Sequence, residues 1–369
     1  MEPRDRVRAE ARRLLTAGVT GQVFPGGVAC VSWRSGDGAE ELVEACAGTL
    51  TKGGARVQES TRYDLAALTQ PFVALAALRL AAAGEVDLDA PVESVLPDVR
   101  GGVLGQATIR QLFRHRGGLA HWGGLYFDVP HEIGTPAARR WIFSEAARRG
   151  RERPSGGPER SDLGYLLAGE AVARAVGATL DAVVARQVLQ PLGLEAQVLY
   201  PGALPSERRA AVAREAAPTE RCEWRGRLLV GEVQDENAAA LGGVAGHAGL
   251  FGTAHAVALF GRAVLDALGD RSDFVDRALL EAALAPAQGE GGHLLFGWEA
   301  KHGPTPVCGK RMGARTFGKV GFTGTSLFCD PDRDVVVALL TNRICPSRAN
   351  EKIDGYRPAF HDGVMAALG

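Results

Sequence analysis

The chain has 369 residues, with 42 Lys plus Arg against 43 Asp plus Glu and a formal net charge of -1. It lacks the basic excess that nucleic acid or an anionic membrane surface selects, so neither is expected as a partner. A composition 46% hydrophobic and 23% charged suits a globular chain that buries a sizeable core, as one large domain or two interleaved ones.

The N-terminus, Met1 to Arg8, is charged and shows no secretory signal. The longest uncharged apolar run, between Asp64 and Arg79, is too short to span a bilayer. Cys30, Cys46, Cys222, Cys308, Cys329 and Cys345 are scattered without a C-x-x-C pair, which reads as reduced thiols in a cytoplasmic protein rather than disulfides. Neither a metal nor a cofactor is expected.

Apolar residues at helical spacing predict a helix over residues 4–16, with Gly18 as its terminator. Residues 28–33 and 42–50 read as strands of a hairpin joined by the turn-rich segment 34–38. Residues 71–83 are apolar all round, which predicts a buried central helix, with Pro71 tolerated in its first turn. A short helix over 108–113 closes on the glycines at 117 and 118.

The arginine-dense stretch (Arg139, Arg140, Arg148, Arg149, Arg151, Arg153) is interspersed with Glu145 and Glu152, and reads as a solvated helix face or loop. A proline/glycine loop at 154–158 leads to Arg160-Ser161-Asp162 and to helices over 166–176 and 180–188. Residues 200–240 read as an irregular surface excursion. The glycine-dense run 242–252 precedes a helix over 254–268. Strands then follow at 315–322, 324–329 and 334–342, before a last helix over 358–368.

Several stretches together resemble one family. Tyr63-Asp64-Leu65-Ala66-Ala67-Leu68-Thr69-Gln70-Pro71 is similar to F-D-L-A-S-L-T-K-P, and residues 108–119 to T-I-R-x-L-L-x-H-T-S-G-L. Glu85-Val86-Asp87-Leu88-Asp89, Gly246-His247-Ala248-Gly249-Leu250-Phe251, Gly321-Phe322-Thr323-Gly324-Thr325-Ser326 and Leu340-Thr341-Asn342-Arg343 complete the pattern in order. The chain resembles the serine β-lactamase/penicillin-binding-protein superfamily, in its class C β-lactamase-like hydrolase and esterase branch. The resemblance implies an α/β fold: an antiparallel sheet from both termini (residues 1–65 and 290–369) flanked by helices, with an inserted, mainly helical domain (66–289) and a cleft between them.

That family's reaction uses S-x-x-K, in which the i, i+3 spacing places a lysine beside the nucleophilic hydroxyl on one helix face. Here the matching positions hold Ala67 and Gln70. The family tyrosine of Y-S-D/N corresponds to Arg160, followed by Ser161 and Asp162, and K/H-T-G to Lys319-Val320-Gly321. A methyl cannot attack a carbonyl, an amide is no base, and a guanidinium does not exchange protons near neutral pH.

The resemblance also implies that the backbone amides of Ala67 and Phe322 form a hole able to hold a carbonyl or carboxylate. Arg160 and Lys319 are expected to bias the cleft positively, towards an acidic ligand, unless Arg160 is engaged in an ion pair with a neighbour such as Asp162. Gln70 reads as a hydrogen-bonding core residue and His247, His115 and His121 as loop supports. Gln234 stands where the family's H-D-E-N-A segment has histidine. Ser161, Thr69, Thr323 and Cys308 show no base partner that would make them substitute nucleophiles.

The expected function is therefore a pseudoenzyme that binds a small molecule or a protein partner through Ala67, Gln70, Arg160, Asp162, Lys319, Gly321 and Phe322. The alternatives are an enzyme of altered mechanism using Arg160 and Lys319 (acyl transfer, hydrolysis or biosynthetic tailoring) and a structural interaction module.

Overall fold

Strands from the two ends of the chain meet in one six-stranded antiparallel sheet, as the computed structural model shows. It describes residues 2–36, 38–101, 103–151 and 159–369. The expected loop at 154–158 lies outside the described residues, as do Glu152 and Arg153.

The chain opens with helix α1 (Pro3–Thr20) and the hairpin of β1 (Gly26–Arg34) and β2 (Glu40–Gly48). Its middle is mainly helical and contributes α2 (Thr69–Ala82), α3 (Asp162–Ala175) and α4 (Ala254–Leu268). It closes with β3 (Glu299–Ala300), β4 (Phe317–Val320), β5 (Ser326–Asp330), β6 (Val335–Thr341) and α5 (Ile353–Leu368). The sheet order is β2-β1-β6-β5-β4-β3.

All seven residues of β6 are buried, which explains an apolar run with no polar alternation: both of its faces are covered. Val337 and Leu339 join a core with Val7, Leu15 and Phe360 from α1 and α5. Val336, Ala338 and Leu340 face the other way, into the larger core that holds α2 and α4. There Phe72 stacks on Phe260 at 3.8 Å between ring centroids, and Phe260 stacks on Trp298 at 5.8 Å. Every residue of α2 from Thr69 to Leu78 is buried, as a helix apolar all round requires. No described helix is long and apolar enough to cross a membrane.

Three local expectations are corrected. Gly18 does not end α1; the helix runs to Thr20, and the glycine marks a close approach. A Cβ there would stand 2.5 Å from Phe24 and 2.9 Å from Tyr356. Helix α5 begins at Ile353 and carries Pro358 inside it. Tertiary bonds hold its first turn: Tyr356 donates to the Leu14 carbonyl at 2.9 Å and Arg357 to Gly321 at 2.9 Å.

Residues 200–240 are not irregular throughout, since Ser206–Glu215 and Glu236–Ala240 are helical and Arg221–Cys222 pairs with Arg227–Leu228. The arginine-dense segment is a helix with a solvated face, as expected: Pro136–Arg151 buries Ile142, Phe143, Ala146 and Ala147, while Arg140 and Arg148 are exposed and Arg148 and Arg149 pair with Glu145.

Glycine-to-alanine replacement within a helix ordinarily stabilises by about 1 kcal/mol. At Gly18 the sign should reverse. Gly18→Ala is expected to destabilise by about 1–3 kcal/mol, the usual cost of overpacking, read as a lower urea midpoint at unchanged slope.

Candidate functional site

The site grows from a short turn. Residues Ala66–Leu68 make one 3-10 turn before α2, and Ala66 adopts φ +48°, a left-handed conformation unusual for a side chain with a Cβ. Asp64 holds it there. One carboxylate oxygen accepts the Ala66 N–H at 2.8 Å and the other the Gln234 N–H at 2.6 Å. Burial pushes this carboxyl up to about 6, against the opposing pull of those two amides.

The end of β4 is stitched to the same turn. The Thr323 hydroxyl donates to the Asp64 carbonyl at 2.7 Å and Thr325 to the Leu65 carbonyl at 3.1 Å. Gly321 permits the approach, since a Cβ would stand 2.6 Å from the Leu65 carbonyl oxygen. The Phe322 N–H has no intramolecular acceptor among the described residues.

Gln70 is fully buried on α2, and its amide donates to Asp162 at 2.9 Å. Asp162 is the first residue of α3, which Ser161 caps by accepting the Gly164 N–H at 3.0 Å. The Ser161 N–H in turn donates to His115 Nδ1 at 2.9 Å, fixing a neutral imidazole. Burial and the nearby Lys319 charge both lower the pKa of that ring.

Arg160 reaches a residue the sequence reading did not single out. Its guanidinium bonds one oxygen of Glu299, and Lys319 Nζ donates to the other at 3.0 Å. The Lys319 side chain is 1% exposed and that of Glu299 10%. Burial alone would push the Glu299 carboxyl up, but the Lys319 and Arg160 charges prevail and hold it at about 2. The expected partner Asp162 is not the one Arg160 takes. The shared carboxylate cancels one of the two positive charges, so the expected positive bias of this pair is reduced.

Ala67, Arg160, Asp162, Lys319, Gly321 and Phe322 surround one cavity of about 580 Å³, and Gln70 stands behind its wall. Arg343, Arg348 and Arg357 add positive charge to the lining, while Asp235, Glu236, Glu351 and Asp354 add negative. Arg348 is already paired with Glu220 and Glu236, and Arg357 spends one nitrogen on the Gly321 and Thr325 carbonyls. None of the described side chains lining the cavity carries a hydroxyl or thiol.

His247 bonds Asp235 at 2.8 Å, and the charge of Asp235 raises its pKa although burial acts the other way. Its Nδ1 is buried without a partner among the described residues. The other hydroxyls and the thiol considered above have structural partners. Ser161 donates to the Ala120 carbonyl, Thr69 accepts the Leu250 N–H and Cys308 contacts the Gly309 carbonyl.

Sequence reasoning missed Glu299, which sits on a two-residue edge strand too short to show any period. It also missed Arg348 and Arg357, whose only signal was an apolar-poor stretch after the last strand.

Removing one member of a buried ion pair strands the other, at a typical cost of 3–5 kcal/mol. Glu299→Gln is therefore expected to destabilise by about 3 kcal/mol or more, and Glu299→Gln with Lys319→Met to recover much of it. A carboxyl lowered from 4.5 to about 2 stabilises the fold above pH 4.5, and that contribution is lost as pH falls towards 2. Urea midpoints between pH 5 and 2.5 should fall more steeply in the parent than in Glu299→Gln.

The β-lactamase family model matches residues 11–356. The chain is 30% identical over 321 residues to the esterase EstB of Burkholderia gladioli, covering 79% of this chain and 80% of that one. It is 27% identical over 319 residues to an N-acetylmuramyl-L-alanine amidase of Bacillus subtilis, covering 80% and 70%. In structure it is similar to EstCE1, a hydrolase with promiscuous acyltransferase activity, with a TM-score of 0.74 at 17% identity over 98% of this chain and 99% of that one. With sheet, cleft and sequence in agreement, the chain belongs to the β-lactamase family, in its class C-like serine hydrolase and esterase branch.

Proposed function

We propose that this chain is a non-hydrolysing member of its family, a pseudoenzyme whose cleft binds a small carbonyl- or carboxylate-containing ligand. The observation that carries this reading is the cavity lining. No described hydroxyl or thiol side chain lines the cavity, and Ala67, which the motif resemblance matches to the family's serine, is part of that lining. The amine and amide nearby are engaged too: Lys319 is bonded to Glu299 and Gln70 to Asp162. Nucleophile and general base each contribute orders of magnitude to acyl transfer, and the cleft retains neither arrangement. Backbone donors such as the Phe322 N–H depend on no side chain, so carbonyl binding outlives the chemistry.

A second reading, an enzyme of altered mechanism, draws on the His247–Asp235 pair in the cavity wall, which could activate a water. The two readings separate in one assay. Purified protein given nitrocefin and p-nitrophenyl acetate is expected to show no turnover above an unfolded-protein control. Turnover that His247→Ala or Arg160→Ala removes would overturn the pseudoenzyme reading in favour of the second. Restoring Ala67→Ser, Gln70→Lys and Arg160→Tyr together is expected to raise ester hydrolysis above the parent, because the turn that presents position 67 is intact.

A further inference from the structure

At the end of the sheet farthest from β3 and β4, three metal-binding side chains from distant parts of the chain converge. Cys30 on β1 is registered directly opposite Glu44 on β2. His255 lies in the first turn of α4, which packs across the same face. One ligand atom from each of the three lies within 4.8 Å of the others, and His255 Nδ1 stands 3.2 Å from a Glu44 oxygen.

We propose that Cys30, Glu44 and His255 form a binding site for a transition-metal dication of the zinc type, with water as a fourth ligand. Bonds of about 2.0–2.3 Å in a tetrahedral complex separate ligand atoms by roughly 3.3–3.8 Å, so atoms that lie within 4.8 Å of one another would draw together by about 1–1.5 Å at most. The donor set is sulfur, imidazole nitrogen and carboxylate oxygen. That combination suits zinc, whereas calcium and magnesium call for oxygen throughout.

The setting favours a cation. The Glu44 carboxylate stands opposite Cys30 across the hairpin and supplies negative charge at the site. A thiol that coordinates a dication gives up its proton. Entry is open from the surface, where the His255 and Glu44 side chains are 34% and 21% exposed; Cys30 closes the site from beneath.

Binding forms metal–sulfur, metal–nitrogen and metal–oxygen bonds. It releases the Cys30 proton to solvent, together with the imidazolium proton wherever His255 is charged, so affinity rises with pH. The bound ion would clamp the β1–β2 hairpin to α4. Without metal, His255 and Glu44 are simply an ion pair beside a buried thiol, and the test separates the two cases.

The experiment is a titration of chelator-treated, full-length protein with Co²⁺, followed by displacement with Zn²⁺. One equivalent is expected to produce a thiolate-to-cobalt charge-transfer band and tetrahedral visible bands, both removed by Zn²⁺. Cys30→Ala should abolish the charge-transfer band. His255→Gln, at a half-exposed position that leaves the core intact, should weaken binding at least as much as loss of an outer-shell partner, about 10–100-fold. Arg160→Ala, in the cleft at the other end of the sheet order, should leave the cobalt charge-transfer and visible bands unchanged. No thiolate band at stoichiometric Co²⁺, a band that survives Cys30→Ala, or an affinity unchanged in His255→Gln would overturn the proposal.

Discussion

Lys319 is a cation buried in the wall of a cleft, and the arrangement around it follows from that. A buried ammonium is tolerated only with a carboxylate in contact, and Glu299 supplies it from the edge strand β3. The pairing of Glu299 with Gly318 and Ala300 with Phe317 brings the carboxylate to its position. Its second oxygen takes Arg160, which immediately precedes the cap of α3. One carboxylate thus ties the sheet to the helical middle across the cavity.

A second anchor works from below. Asp64 satisfies two backbone donors with its carboxylate and accepts Thr323 with its carbonyl, which fixes the turn bearing Ala66 and Ala67 against the end of β4. A left-handed Ala66 costs of order 1–3 kcal/mol unless its surroundings over-determine it, and these bonds do so. The geometry that would present a nucleophile is therefore kept by groups other than the nucleophile. That is why loss of chemistry and persistence of a binding cleft are compatible in the proposed account.

Much of this was legible in the sequence. The all-apolar stretch at 71–83 identified the central helix because burial on every side leaves no polar face, and the apolar run of β6 reads the same way. The positions of Ala67, Gln70, Arg160 and Lys319 came from motif order, and the fold brings all four to one cleft or its wall.

What escaped was long-range pairing. Nothing in the stretch around Trp298 announces that Glu299 will pair with both Arg160 and Lys319, 139 and 20 residues away. The Cys30, Glu44 and His255 cluster was equally invisible, because its ligands follow no motif spacing and meet only when α4 lies on the hairpin. Gly18 misled for a related reason: a glycine needed for tertiary contact looks like a helix stop.

The central claim is that the cleft binds without forming a covalent acyl intermediate. Intact-protein mass spectrometry after incubation with a β-lactam and with a fluorophosphonate tests it directly. The account predicts an unchanged mass at every reagent concentration that leaves the protein folded. A stoichiometric adduct mapped to a residue of the cleft would contradict it.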